Sequence, residues 1–205
     1  PLPRHGREAA TLVYTGSVTR LRGLVEMIDL VHRLRPRFPH LRLEVVGPIG
    51  SHEESAMAER QIEDLRLGDC VELAGAVSHA EVHRRIAPAD IGLALLHADP
   101  NYVRSLPTKM FEYMMMGRPV VVSRFPLWEQ IVDETECGIA VDPDSMEQIE
   151  TAVARLLEDP ERRWQLGENG RRAVMERYNW EAEGRRLVDF YRDILDVPDA
   201  ADARL

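Results

Sequence analysis

Residues 103–121, VRSLPTKMFEYMMMGRPVV, place a proline, a lysine and a glutamate at a spacing that could bind an anionic ligand. Pro107 has the φ of a helix and fits a first turn, so the amides near Thr108 and Lys109 would be free donors at the positive helix end. Helical side chains lean towards the N-terminus, so Glu112 would face the same space. A carboxylate accepts hydrogen bonds from two vicinal sugar hydroxyls. The spacing predicts a nucleotide, with phosphate on the amides and ribose on Glu112.

The same residues also have a plain structural interpretation. A glutamate near a helix start commonly only complements the helix dipole, and Lys109 could be a solvated cation. Met114, Met115 and Met116 would then simply fill the core.

A second candidate loop, GSVTRLRG, follows the first predicted strand at residues 16–23. Gly16 ends the strand, Ser17 can donate through its hydroxyl and amide, Arg22 carries a rigid fork of donors, and Gly23 opens the next helix. These groups suit a diphosphate, although an ordinary strand-to-helix turn with a solvated arginine is the alternative. The loop is neither a Walker A loop nor G-x-G-x-x-G, which argues against an ordinary nicotinamide dehydrogenase.

The elements that position these loops alternate between short β-branched runs and longer helical patterns. Strands are predicted at 11–16, 41–47, 70–75, 90–96, 118–123 and 138–142, and helices at 23–35, 53–66, 79–87, 107–116 and 127–133. About three further helices follow, interrupted at Asp159-Pro160 and near Tyr178-Asn179-Trp180. The pattern predicts an α/β, Rossmann-like, doubly wound parallel sheet of about six strands, with helices on both faces and C-terminal helices. Ligands of such sheets bind beyond the carboxyl ends of the strands, where the strand order reverses.

Composition limits the classes of function. With 44% hydrophobic and 30% charged residues the chain is an ordinary globular protein, and no apolar run approaches the ~20 residues that span a bilayer. A formal charge of −9 argues against nonspecific nucleic-acid binding and against whole-surface attraction to anionic lipid. Cys70 and Cys137 are far apart in sequence and receive no role, and a reduced cytosolic compartment is the default.

Histidines and tryptophans were weighed as ligand-binding groups. His79 and His83 share a helical face, but no carboxylate or cysteine in the sequence completes a set, so no metal site is predicted. Trp128, Trp164 and Trp180 are interpreted as packing anchors. His97 is expected to line the cleft together with Tyr102.

Six segments carry a family resemblance, and they occur in this order: YTGSVTRLRG, LEVVG, ELAGAVSHAEVHRRIAPADIGLALL, SLPTKMFEYMMMGRPVVVS, CGIAVDPDSMEQIETAVARLLED and YNWEAEGRRLVDFY. Together they resemble the C-terminal half of family 4 (group 1) glycosyltransferases of GT-B fold, over residues 11 to about 192. P-x-K-x-F-E-Y-M-x-x-G-x-P-V-V is the most specific piece. The resemblance implies a domain that binds a sugar nucleotide against an N-terminal acceptor domain, with retention of anomeric configuration and no bound metal in most members.

The resemblance also implies roles for the diphosphate-binding residues. Gly16 and Ser17 stand where the family has Gly-Arg, and Arg22 stands where it has a diphosphate-binding lysine. Lys109 joins them at the start of the helix. The loop that wraps the phosphates consists of Ser105, Leu106, Pro107 and Thr108.

The nucleoside contacts follow from the same resemblance. Glu112 matches the second glutamate of the Glu-x7-Glu motif, which holds the ribose hydroxyls. Gly75, Ala76 and Val77 match the loop whose backbone contacts the base.

Two positions depart from the family pattern. Ser17 removes one cation. Arg104 stands where the motif has the glutamate that touches the donor sugar, so sugar contact must come from elsewhere or the donor carries an acidic group. Tyr102, Arg104 and Ser105 are therefore predicted to lie near the sugar, and no catalytic residue is assigned.

The predicted organisation is a linker over residues 1–10, leading from an acceptor-binding domain absent from this sequence, a nucleotide-sugar-binding domain over 11–195, and a flexible tail over 196–205. The predicted function is donor binding in a retaining hexosyltransferase-like enzyme of polysaccharide, lipopolysaccharide or other glycoconjugate synthesis. The isolated domain is expected to be inactive, to need no cofactor or metal, to bind no nucleic acid, and to act in the cytoplasm, with peripheral membrane contact through the absent domain. The alternative is a nucleotide-binding or interaction module that has lost transfer activity.

Overall fold

The computed structural model describes residues 9–195 as a six-stranded, all-parallel sheet with helices on both faces. The strands are β1 (Thr11–Thr15), β2 (Arg42–Val46), β3 (Val71–Gly75), β4 (Ile91–Ala94), β5 (Val120–Ser123) and β6 (Gly138–Val141). Their spatial order is β3-β2-β1-β4-β5-β6, so the order reverses between β1 and β4. This confirms the predicted Rossmann-like, doubly wound class.

The helices follow the predicted alternation closely. They are a 3-10 helix (Arg20–Arg22), α1 (Leu24–Leu34), α2 (His52–Asp64), α3 (His79–Ile86), α4 (Pro100–Val103), α5 (Thr108–Met115), α6 (Pro126–Thr135), α7 (Met146–Glu158), α8 (Pro160–Glu176) and α9 (Trp180–Leu195). The short helix α4 and the 3-10 helix were not predicted. Residues 1–8 of the predicted linker and the whole predicted tail, 196–205, lie outside the described residues.

Both faces of the sheet are covered, as expected for strands that are apolar on each side. In β1, Leu12 and Tyr14 join the core under α1 and α7, whereas Val13 joins the core under α5 and α6. Helix α1 places buried side chains at Leu24, Met27, Ile28, Val31 and Leu34, one stripe of a 3.6-residue period. The burial of complementary stripes is what fixes each helix on its face.

The methionines and tryptophans are only partly core residues. Met114 is fully buried, but Met115 is 48% exposed, because the three consecutive side chains point in different directions around the helix. Trp128 is fully buried, whereas Trp180 is 79% exposed, so the interpretation of Trp180 as a packing anchor is wrong within the described chain. Pro107 precedes the first helical residue of α5 and does not occupy its first turn.

Tyr113 fixes α5 at the point where the sheet opens. The ladder between β1 and β4 pairs Leu12 with Ile91 and Val13 with Gly92. Beyond those pairs the Tyr113 hydroxyl accepts from the Thr15 amide at 2.8 Å and donates to the Leu93 carbonyl at 3.3 Å. A Cβ on Gly92 would lie only 2.3 Å from the Tyr113 ring, so glycine is what allows the ring to lie against β4.

We predict that Tyr113→Phe lowers the free energy of unfolding by about 1–3 kcal/mol, because the buried Thr15 amide loses its partner. Denaturant unfolding followed by circular dichroism measures this change. Tyr191→Phe is the matched control, since Tyr191 is 54% exposed. Equal stability of the two variants would show that the hydroxyl bridge contributes nothing.

Candidate functional site

A cavity of about 460 Å³ lies beyond the carboxyl ends of β1 and β4, where the strand order reverses. Its walls come from the loop after β1, from helix α3, from the loop after β4 and from the start of α5. The lining residues are Thr15, Gly16, Arg22, His79, Val82, Leu96, Asn101, Tyr102, Ser105, Leu106, Pro107, Thr108, Lys109, Glu112 and Trp128. This is the place that the topology predicts for a ligand.

The loop after β1 lies close to its neighbours because two glycines allow it. Gly23 has φ +79, and a Cβ there would lie 2.1 Å from the Leu95 carbonyl oxygen. Gly47, after β2, has φ +148, and a Cβ there would lie 1.9 Å from the Gly16 carbonyl oxygen. No L side chain fits either position, so these glycines hold the floor of the cavity in place.

Arg22 reaches the cavity from the end of the 3-10 helix. Its Nε donates to the Tyr102 hydroxyl at 3.3 Å and its Nη1 to the Ser17 carbonyl at 3.5 Å. The guanidinium carbon lies 5.2 Å from the centroid of the Tyr102 ring. The Tyr14 hydroxyl also donates to the Ser17 carbonyl, at 2.6 Å. These long hydrogen bonds hold Arg22 at the cavity wall. Its guanidinium still has N–H donors that an anion can accept.

Lys109 is the only lysine in the sequence, among 26 lysine and arginine residues. It is 8% exposed, and its Nζ has no hydrogen-bond partner among the described residues. Nζ lies 3.6 Å from the centroid of the Tyr14 ring. Burial, and then the nearby Arg22, lower the pKa of Lys109 well below its ordinary value of 10.5, against the opposing effect of Glu112. The alternative of a solvated cation is therefore wrong.

Glu112 is one turn further along α5 and faces the same cavity. Its side chain is 20% exposed, and Oε1 lies 3.5 Å from Nε2 of His79 on α3. The carboxylate thus lies about one helical turn along α5 from Lys109.

The cavity gathers many of the predicted site residues. Gly16, Arg22, Tyr102, Ser105, Leu106, Pro107, Thr108, Lys109 and Glu112 all line it. Ser17, Arg104, Gly75, Ala76 and Val77 are outside the lining set. The Ser17 carbonyl is occupied by Tyr14 and Arg22, and Arg104 is exposed at the end of α4. Gly75 is the last residue of β3, and the loop after it leads to α3. His79 and Val82 of α3 line the cavity.

His97 has a different place from the expected one. It is absent from the cavity lining because its ring lies between two carboxylates, with Nε2 3.0 Å from Glu26 and Nδ1 2.7 Å from Asp144. Partial burial alone would lower the pKa of His97, but these two hydrogen bonds outweigh burial and raise it. His97 therefore ties the loop after β4 to α1 and to the loop after β6, and it flanks the cavity without facing it.

Sequence reasoning missed two features of the wall. Trp128, expected only to pack, lines the cavity and donates from Nε1 to the Ser105 carbonyl at 2.5 Å. Helix α4 brings Asn101 and Tyr102 to the wall, and its start has a readable signal: Asp99 caps the Asn101 amide at 2.9 Å, and Pro100 is the first helical residue.

The statement that no carboxylate completes the histidine pair is also wrong. Ligand atoms of His79, His83 and Glu112 all lie within 4.8 Å of one another. The sequence could not show this proximity, because Glu112 comes from another helix about 30 residues away.

Comparison with known proteins assigns the chain to a family. The profile described as Glycosyl transferases group 1 matches residues 4–173, so the chain belongs to the group 1 glycosyltransferase family. The MMP alpha-(1->4)-mannosyltransferase of Mycolicibacterium hassiacum is 26% identical over 191 residues, 92% of this chain and 44% of that protein. The alpha-D-kanosaminyltransferase of Streptomyces kanamyceticus is 27% identical over 192 residues, 93% of this chain and 48% of that protein. The chain thus spans less than half of either relative.

A solved structure agrees with the fold. Anabaena Alr3699/HepE, in complex with UDP, superposes with a TM-score of 0.81 at 16% identity, over 91% of this chain and 49% of that chain. At this identity the likeness concerns the fold alone. No helix in the described part of the chain is long and apolar enough to cross a membrane.

We predict that Lys109→Met raises the free energy of unfolding of the ligand-free protein by about 1–3 kcal/mol, because it removes a buried amine that has no hydrogen-bond partner in the described part of the chain. Since the folded pKa is depressed, the unfolded state binds more protons between that pKa and 10.5, so wild-type stability rises with pH across this window. The difference in the free energy of unfolding between Lys109→Met and wild type should therefore become smaller as pH rises through this window.

Thermal and denaturant unfolding between neutral and alkaline pH measure this difference. Lys109→Arg is the control, and it should destabilise the protein, because a guanidinium stays charged and brings five donors. A destabilised Lys109→Met protein would contradict the inference that the free amine is unfavourable.

Proposed function

We propose that this domain binds the sugar-nucleotide donor of a retaining glycosyltransferase that acts in polysaccharide, lipopolysaccharide or other glycoconjugate synthesis. The observation that carries the proposal is a buried lysine amine and a carboxylate on the same helix, both facing a cavity at the strand-order reversal. The amine has no hydrogen-bond partner within residues 9–195. An amine buried without an anion is unfavourable in the free protein, and a diphosphate is the anion that the surrounding groups suit.

The diphosphate contacts start at the N-terminus of α5. The amides of Thr108 and Lys109 are at the positive end of the helix, and neither has a carbonyl partner one turn earlier within α5. Lys109 Nζ supplies a positive charge from the first turn of α5. Arg22, at the end of the 3-10 helix, supplies a fork of donors from the loop after β1. Gly16 stands beside the amine, since a Cβ there would lie 3.6 Å from Nζ. These groups supply the positive field, so the diphosphate needs no divalent ion.

The nucleoside extends along α5 towards α3. Glu112 accepts the two ribose hydroxyls, and the backbone of Gly75, Ala76 and Val77 contacts the base. The support is that Glu112 shares the cavity with His79 and Val82 of α3, directly after that loop. The relatives include proteins named for mannosyl and kanosaminyl transfer, and one neighbour was solved with UDP, which supports a nucleotide sugar as a class.

The sugar end of the donor lies near Tyr102 and Ser105. Both line the cavity, whereas Arg104 points to solvent from the end of α4. Arg104 therefore contacts the donor only once the donor or a second domain covers the end of the cavity near α4. It then binds either the sugar or the phosphates, where it would replace the cation lost at Ser17.

We propose that the acceptor binds a separate N-terminal domain of a cytoplasmic enzyme, since the chain spans less than half of the relatives it matches. Transfer requires donor and acceptor to be positioned together, so the isolated domain binds nucleotide and transfers nothing. Calorimetric titration with UDP, GDP, ADP and their sugar conjugates tests donor binding. Sugar transfer by the full-length protein separates an enzyme from a module that has lost activity.

We predict that Arg22→Ala weakens the binding of a nucleoside diphosphate far more than that of the bare nucleoside, because only the diphosphate offers the guanidinium an anion.

Glu112→Ala should weaken the binding of nucleoside and diphosphate alike, by about 1.5–3 kcal/mol, the range for hydrogen bonds to charged groups. Titration of each variant with nucleoside, monophosphate and diphosphate separates the two roles, and Arg104→Ala tests whether that side chain reaches the phosphates.

Chelators should leave these affinities unchanged, and added salt should lower them. Equal losses for all three ligands in Arg22→Ala would mean that Arg22 only supports its loop. A Glu112→Ala protein that binds normally but melts early would give Glu112 a purely structural role.

We further predict that binding of a nucleoside diphosphate takes up a proton, because the anion raises the depressed pKa of Lys109. Calorimetry above about pH 8, in buffers of different ionisation enthalpy, measures the uptake where the terminal phosphate is already deprotonated. Affinity should fall as pH rises from the free to the bound pKa of Lys109. The bare nucleoside and the Lys109→Met variant are the controls, and uptake that persists in the variant would place the proton elsewhere.

A further inference from the structure

Two helices bring three metal-ligating side chains to the rim of the cavity. His79 and His83 are four residues apart on α3, so both imidazoles lie on one face, with ring centroids 4.6 Å apart. Glu112 approaches this face from α5, and its Oε1 lies 3.5 Å from His79 Nε2. One ligand atom from each of the three lies within 4.8 Å of the other two.

One of these separations, between His79 and Glu112, matches that of a tetrahedral metal site. With metal–ligand bonds of about 2.0–2.2 Å, the ligand atoms around a tetrahedral zinc ion lie about 3.3–3.6 Å apart. The pair His79 and Glu112 already has this separation. The His79 side chain is 75% exposed, so it can rotate to complete the triangle, while Glu112 is held on a helix that Tyr113 anchors.

We propose that His79, His83 and Glu112 bind a zinc ion or a chemically similar divalent transition metal, with water in the fourth position. Two imidazoles and one carboxylate are a donor set that zinc accepts, with three protein ligands and an open position. Mg²⁺ and Ca²⁺ prefer oxygen ligands, so two imidazole nitrogens select against them.

Metal binding at this place has a consequence that rests on the proposed function. Glu112 is the carboxylate assigned to the ribose hydroxyls, and it cannot serve the metal and the ribose with the same oxygens. Zinc therefore competes with the nucleotide and lowers its affinity. The metal acts as an inhibitor that enters from the rim, and the diphosphate end of the site still needs no metal.

The direct test titrates ZnCl₂ into the full chain, without a histidine tag and without nucleotide. One zinc ion per chain should bind, and Co²⁺ at the same site should give the intense visible absorption of tetrahedral coordination. His83→Ala should lower zinc affinity at least about tenfold, because it removes one of three protein ligands. His79→Ala, at an exposed position, should do the same even if His83→Ala fails to fold. His52→Ala, an exposed histidine of α2, should bind zinc normally.

Equal zinc affinity in His83→Ala, His79→Ala and His52→Ala would overturn the proposal. The competition test measures UDP, GDP and ADP binding with and without zinc, in wild type and in His83→Ala, whose side chain does not line the cavity. Zinc bound by nucleotide in solution affects both proteins equally, so only a larger loss in wild type supports competition, and an equal loss contradicts it. If no nucleotide binds, the proposed function fails, and the direct titration still decides the metal site.

Discussion

The hydroxyl of Tyr113 bridges the two central strands of the sheet, β1 and β4, at the point where they diverge. Strands β1 and β4 are paired at Leu12–Ile91 and Val13–Gly92, and past Val13 and Gly92 they diverge. Divergence leaves the Thr15 amide and the Leu93 carbonyl without ladder partners in the interior, where unpaired backbone groups are costly. The hydroxyl accepts from one and donates to the other. A side chain from α5 thus replaces one pair of hydrogen bonds between the two strands. The cavity is the crevice between the strand ends beyond this bridge.

The position of the chemistry follows from this anchor. Lys109 is four residues before Tyr113 on the same helix, so once the ring is fixed against Gly92 the amine must lie over Tyr14 and beside Gly16. A chain that otherwise uses arginine for its strong bases has a lysine here. An arginine would remain charged in this position, whereas a lysine can lose its proton while the cavity has no anion and regain it when one binds. The unfavourable burial of the amine is a cost in stability at a position for which we propose a function.

The sequence predicted what depends on local pattern and on topology. Six strands and the larger helices follow from β-branched runs and helical periodicity, and the location of the crevice follows from the parallel order that such alternation implies. The sequence could not predict environments set by distant contacts. Lys109 looked equally compatible with solvent, because its burial depends on Tyr14, nearly a hundred positions earlier. His97 looked like a cleft residue, but carboxylates on α1 and after β6 hold it away from the cavity.

The charged groups of the cavity are coupled, and the coupling changes how their contributions combine. Arg22 lowers the pKa of Lys109 and Glu112 raises it. In the proposed complex, removing Arg22 takes away one donor to the diphosphate but makes Lys109 easier to protonate, so part of the lost attraction returns through the neighbouring amine. Removing Glu112 has the opposite effect on Lys109, although the proposed role of the carboxylate is to bind the ribose and not the phosphates. The contributions of these residues are therefore not additive, and the coupling energy between Arg22 and Lys109, obtained from a double-mutant cycle, measures how far they act on the anion as one group.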